Sequence, residues 1–305
     1  MTMSIIKPNI LTDAGLTSST APETDYPVWV ATTSYAVGTK IMRAVSGAHK
    51  NFQCLIAGID ATLPELTPTR WLNLGPTNRW AMFDSAVGTS TTVAGDLTVV
   101  LRPGSVGGIA LLELTGKQAQ ITMRDAPGGT VIYAKTVVLD GTMIASFYDW
   151  FYEPYTQLTD VVVTGLPTHF VSNELTVTIL AATPLATAGC GVCHMGEVLI
   201  IGKTQAGASV GIVDYSRKSV DDFGNYSITK RAFSKRSDIK LITEPSQFNR
   251  IFRALASVRS TPCIYIATEA PGFEPLIVYG FYKDFSIDVA YYSIHLCNLS
   301  IEGLI

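Results

Sequence analysis

Apolar and polar residues alternate one for one in several short stretches of this chain, and only an extended strand places every second residue on the same side. The pattern is plainest in Leu175-Thr176-Val177-Thr178-Ile179-Leu180. It recurs in Leu97-Thr98-Val99-Val100-Leu101, Gln120-Ile121-Thr122-Met123 and Thr130-Val131-Ile132-Tyr133-Ala134. Among 305 residues, 34 threonines, 13 tyrosines, 25 glycines and 15 prolines suit pleated strands joined by tight turns better than helices. The fold class expected is mainly β, with strands short and regularly spaced as in a sandwich or jelly roll.

One segment has a different period. Phe248, Ile251, Phe252 and Leu255 recur at i, i+3, i+4 and i+7, the stripe of an amphipathic helix, and Ser246 after Pro245 is placed to cap it. Strands to receive this helix follow in Pro262–Ala267, Leu276–Phe281 and the tail from Ala290 to Ile301, so the last third reads as α+β. Three sections result. Residues 1–84 form a loop-rich N-terminal segment with a small β unit, 85–183 a jelly-roll-like β-sandwich, and 184–305 an α+β assembly domain.

Only 15% of the residues are charged while 47% are hydrophobic, and the mean hydropathy is +0.28. That excludes disorder as the dominant state. No apolar run approaches the roughly 18–20 residues needed to cross a bilayer as a helix, so no membrane insertion is expected. The N-terminal residues show no secretory pattern, and cytoplasmic synthesis with reduced thiols is expected for five scattered cysteines. A net charge of −3 gives no electrostatic reason to bind nucleic acid. Sparse charge with high hydropathy is instead what a chain shows when much of its surface is covered by other subunits.

Two short patterns mimic chemistry. Cys190-Gly191-Val192-Cys193-His194 has the spacing of covalent haem attachment, but that chemistry belongs to oxidising compartments; buried cysteines packed as small hydrophobes are the expected reading, with no cofactor and no metal. Gly207-Ala208-Ser209-Val210-Gly211 matches the nucleophile elbow of a hydrolase. That turn must lead into a helix, whereas Ile212-Val213-Asp214-Tyr215-Ser216 reads as strand, so esterase chemistry at Ser209 ranks last and no enzyme is expected.

Two other features suggest contacts. Between Arg217 and Lys240 seven Lys or Arg face three Asp, and Arg217, Lys218, Lys230, Arg231, Lys235 and Arg236 are candidates for a subunit interface. The alternative is a solvated loop. Trp29, Tyr35, Gly38, Phe52 and Trp71 follow in the order of a small three-stranded module. Trp29, Tyr35 and Trp71 either stack on sugar rings, if exposed, or fill the module's core.

This aromatic order, over residues 26–72, resembles the small chitin-binding carbohydrate modules that are appended to chitinases and occur in bacteriophage tail proteins, although Phe52 stands where that family usually has tyrosine. Further along, Leu74–Asp84, Trp150 in the aromatic run Phe147–Tyr152, Gly202–Ser216, Lys230–Arg236 and Leu299–Leu304 resemble stretches of tail-associated structural proteins of tailed bacteriophages. The resemblance implies a virion component of the tail tip or baseplate, made in the bacterial cytoplasm. Its partners would be other tail or fibre proteins and copies of itself. A carbohydrate-binding protein that recognises a host surface glycan is the alternative.

Overall fold

The structure, a computed structural model, describes residues 2–304 apart from 60, 143, 270–271 and 290–293. It is mainly β, as the alternation predicts. The chain divides into two compact units, one of Met1–Asn9, Val106–Ile109 and His194–Ile305, the other of Ile10–Ser105 and Ala110–Cys193. This differs from the three consecutive sections expected from composition. The first strand joins the last third of the chain, a pairing across nearly two hundred residues that no local pattern announces.

The first unit is built on a closed sheet. Strands Val192–Thr204, Thr2–Pro8, Cys263–Ile266, Ile277–Asp288, His295–Gly303 and Phe233–Thr243 pair in that order. Lys203 opposite Ile242 and Thr204 opposite Leu241 then join the last strand to the first. Every one of these pairings is antiparallel. Closing six strands leaves the barrel wall without open edges. Alternate residues point inward, so Met3, Ile5, Ile239, Leu241, Leu299 and Ile301 share one buried core. Two glycines let the backbones approach: a Cβ on Gly196 would lie 1.7 Å from the Lys7 carbonyl oxygen, and one on Gly280 would lie 2.1 Å from that of Glu302.

The expected helix is present at Phe248–Ser257 and buries Ile251 and Leu255 against the barrel core, but Phe252 stays exposed. Ser246 does not cap it. Residues Pro245–Gln247 form a 3-10 turn that runs straight into the helix, and Gln247 occupies the cap position without a side-chain bond. Of the predicted tail strand, residues 290–293 lie outside the described residues; the strand described is His295–Gly303.

The second unit holds a five-stranded antiparallel sheet in the order Val131–Val138, Gln118–Arg124, Glu174–Leu180, Leu97–Leu101, Leu16–Ser19. Gln118–Arg124 and Glu174–Leu180 alternate buried and half-buried at every position. The buried face carries Leu97, Val99, Ile121, Met123, Leu175, Val177 and Ile179, and the opposite face carries the threonines. Thr98 and Thr178 sit directly across from one another with their hydroxyls 3.1 Å apart, a cross-strand pair that fixes register. The same unit includes the small module, in which Lys40–Arg43, Lys50–Cys54 and Trp71–Pro76 form a three-stranded sheet. Gly38 turns the chain into it at φ +86°, a left-handed backbone that glycine adopts without a steric penalty.

Candidate interaction surfaces

The small module settles the alternative left open for its aromatics. Trp29, Tyr35 and Trp71 pack with Ile41, Phe52 and Cys54 in one buried cluster, and Trp71 is only 1% exposed. Tyr35 meets Trp71 edge to face at 5.3 Å, and its hydroxyl accepts the Val30 N–H at 2.8 Å. Arg43 covers the outer face of Trp29, its guanidinium 5.1 Å from the ring. A sugar ring cannot stack on faces that are already packed, so the expected platform of Trp29, Tyr35 and Trp71 is corrected to a core. A module of some forty-five residues has few other large side chains with which to fill its interior.

Beside this core lies a polar clasp. The two ring nitrogens of His49 face two carboxylates, Nδ1 at 2.7 Å from Glu23 Oε1 and Nε2 at 3.3 Å from Asp13 Oδ1. Glu23 also accepts the Thr77 hydroxyl at 2.8 Å and lies 3.6 Å from Arg79 Nη1, while Trp80 stacks on the imidazole at 4.6 Å. Asp25 accepts from Asn51 Nδ2 and from the Asn78 N–H, both at 2.8 Å. The Ser46 hydroxyl first, then the Gly47 N–H and His49, hold the Asp13 carboxyl below its ordinary value. Residues 13–25 and 77–80 are thereby tied to the module. The distinctive Asn78-Arg79-Trp80 string serves this structural tie.

Neither pattern is set in the geometry of the site it mimics. Burial raises the Cys190 thiol well above its ordinary value and pushes Cys193 up to about 12, which leaves both protonated and poorly nucleophilic. His194 is buried with its Nε2 3.0 Å from the Ile6 carbonyl oxygen, which can only accept, so the imidazole donates there. Its ring meets Tyr279 edge to face at 5.6 Å, and burial lowers its pKa to about 4. Ser209 opens the strand Ser209–Asp214 rather than a strand-to-helix elbow, and its carbonyl accepts the Ser237 hydroxyl at 3.2 Å. Among the described residues no group of three or more His, Cys, Asp or Glu is placed to hold a metal ion.

Among the described residues two exposed surfaces group apolar side chains where solvent should favour polarity. The first is a β-ribbon. Ser209–Asp214 pairs with Phe233–Thr243 from Ser209 opposite Asp238 to Asp214 opposite Phe233, and the two chains continue outward as Arg217–Val220 paired with Tyr226–Thr229. From 217 to 233 every residue is exposed. Residues opposite one another share a face of such a ribbon. Arg217 with Thr229 and Ser219 with Ser227 make one polar face; Lys218 with Ile228 and Val220 with Tyr226 make the other, which is largely apolar. At the tip Asp221 accepts the N–H groups of Phe223 and Asn225 at 3.0 and 2.8 Å, and Gly224 turns at φ +84°. This fixed turn presents Phe223, which is 91% exposed.

The candidate interface cations fall into two sets on this ribbon. Arg217, Lys218, Lys230 and Arg231 lie on its exposed outer part. Lys235 is half-buried at the base, and Arg236 is 3.1 Å from Asp238 of its own strand.

The second surface is an aromatic knob that alternation and helical periodicity do not reveal. The short helix Phe147–Tyr152 carries Phe147, Tyr148, Trp150, Phe151 and Tyr152, with Tyr155 just beyond, and all six are exposed. Phe147 is 90% and Trp150 68% exposed. The knob is held in place. Ser146 and Asp149 form a reciprocal capping box, Tyr155 donates its hydroxyl to the Leu139 carbonyl at 2.8 Å, and Gly141 N–H bonds the Thr156 carbonyl at 2.8 Å across the neck. Gln157 Nε2 reaches the carbonyls of Leu114 and Gly116 at 3.1 and 3.2 Å. A cleft of about 530 Å³ is lined by Ile144, Ala145, Ser146, Phe147, Trp150 and Phe151. The signal was in the sequence: five aromatics in six consecutive residues cannot all lie on one face of a helix. No family model matches this chain, and no curated protein matches it.

Proposed function

We propose that this chain is a non-enzymatic building block of a bacteriophage tail tip or baseplate, present in several copies and docked to other tail or fibre proteins. The observation that carries the assembly part is the ribbon: a braced, two-stranded projection whose one face is largely apolar and exposed. Exposing such a face to water is unfavourable, and a neighbouring subunit that covers it gains about 25 cal/mol per Å² of apolar surface removed from water. The closed barrel from which the ribbon extends supplies a rigid base for it. The sparse charge of the chain fits the same reading. The phage setting rests on the resemblance of the Leu74–Asp84, Gly202–Ser216 and Lys230–Arg236 stretches to tail-associated proteins. Virion location and synthesis in the bacterial cytoplasm follow from that setting.

The test is direct localisation. Antibodies against this chain, labelled with gold and applied to phage particles from the host that encodes it, should decorate the distal end of the tail. Peptides of the chain should be recovered from purified particles in a fixed ratio above one copy per virion. Particles free of the chain would overturn the reading.

A further inference from the structure

The knob and the ribbon are complementary in kind. Residues 140–160 contain Asp140, Asp149, Glu153 and Asp160 and no Lys, Arg or His. The outer ribbon, residues 217–231, carries Arg217, Lys218, Lys230 and Arg231 against Asp221 and Asp222 at its tip, a net charge of +2, beside Val220, Phe223, Tyr226 and Ile228. Each segment therefore combines exposed apolar side chains with a net charge opposite to that of the other. From this we infer that the knob of one copy receives the ribbon of a second copy, with the Phe223 tip directed to the cleft between Phe147 and Trp150. The inference deepens the building-block reading and rests on it.

Other occupants fit the knob less well. Saccharide hydroxyls need directed polar partners, whereas the described residues lining the cleft offer only the Trp150 indole N–H and the Ser146 hydroxyl, which already accepts the Asp149 N–H at 3.2 Å. An anionic membrane surface would repel a segment that carries acids and no cation. A basic peptide with aromatic and branched aliphatic side chains meets both the apolar centre and the charge, and this chain presents one already braced in extended form. Because knob and ribbon are different surfaces, each copy would offer one of each. Such a contact joins two different surfaces, so it closes as a reciprocal pair or a ring, or propagates as an open chain.

That property gives the test. A knob variant (Phe147→Ser with Trp150→Ser) and a ribbon variant (Phe223→Ser, Lys230→Glu and Arg231→Glu) each lose one surface. In sedimentation velocity, wild type is expected to form dimers or larger species as its concentration rises, and each variant alone to remain monomeric. Their equimolar mixture is expected to form a one-to-one heterodimer and nothing larger. Far-UV circular dichroism checks that both variants keep the wild-type β spectrum, and a milder pair covers any loss of folding. Glu153→Lys or Lys230→Glu singly should weaken self-association by about tenfold, and the two combined in one chain should recover most of it. Oligomeric wild type together with oligomeric variants, or with a mixture that stays monomeric, would overturn the knob–ribbon pairing and leave the building-block reading standing. Wild type that stays monomeric would overturn both.

Discussion

Two aromatic clusters of similar size have opposite fates in this protein. Trp29, Tyr35, Phe52 and Trp71 are spread over more than forty residues and several strands, and they converge into a buried core. Phe147, Tyr148, Trp150, Phe151 and Tyr152 are packed into six residues and all remain exposed. Residue type does not separate the two sets; spacing does. Rings separated by turns can be brought to one side of a sheet, whereas neighbours on a short helix point around its whole circumference and at most half of them can be covered by their own domain. The first cluster supplies stability, and the second remains exposed as the surface proposed to take a partner.

The comparison breaks most easily at Trp71. Trp71→Ala removes the most buried ring of the module and should cost about 3–5 kcal/mol of the module's stability. Hydrogen exchange at the Lys50–Cys54 and Trp71–Pro76 amides measures this locally, without assuming that the whole chain unfolds as one. If those amides keep their protection, the cluster is not the module's core.

A buried ring with a titratable nitrogen sharpens the contrast. His194 has a folded-state pKa near 4 against 6.5 in the open chain. Between those values the unfolded chain takes up a proton that the folded barrel does not. Stability from this group is therefore complete above about pH 6.5 and declines as the pH falls towards 4, by about 3 kcal/mol in all. Urea midpoints measured between pH 7 and 4 for wild type and His194→Gln should show the extra acid sensitivity in wild type alone. Equal slopes would mean that the imidazole is solvated.

Gly38→Ala comes next. A Cβ at φ +86° has open space around it, with only the Gln53 side chain at 4.0 Å, so the cost is backbone strain alone, about 1–2 kcal/mol by thermal denaturation. Smallest is Trp150→Ser, whose ring has little to lose on the folded side. Its stability should lie within about 0.5 kcal/mol of wild type in the same denaturation assay. A loss of several kcal/mol would mean that the knob is part of a core.

Much of the fold was legible because period two is a local property: 97–101, 118–124 and 174–180 are strands with the predicted faces buried. The helix was legible for the same reason, but its start was not, since Pro245 favours a 3-10 turn that takes Ser246 out of the capping position. Barrel closure was invisible. It depends on Thr2–Pro8 lying between Val192–Thr204 and Cys263–Ile266, and alternation says which face a residue takes but not which strand lies beside it. At the candidate surfaces, the cations of the ribbon were identified from composition alone. The apolar face beside them needed the register of Val220 with Tyr226, which no count of charges supplies. The tryptophan platform failed because order along the chain does not reveal which side of a sheet is covered.

The central claim is that the exposed ribbon and knob exist to be covered by neighbouring subunits. Hydrogen exchange of the full-length protein, compared at low and high concentration, tests it at residue level. The account predicts that amides of 217–231 and 144–155 gain protection together as concentration rises, while the barrel and the small module do not change. Equal exchange of both segments at every concentration, in a particle that stays at 32.8 kDa, would contradict it.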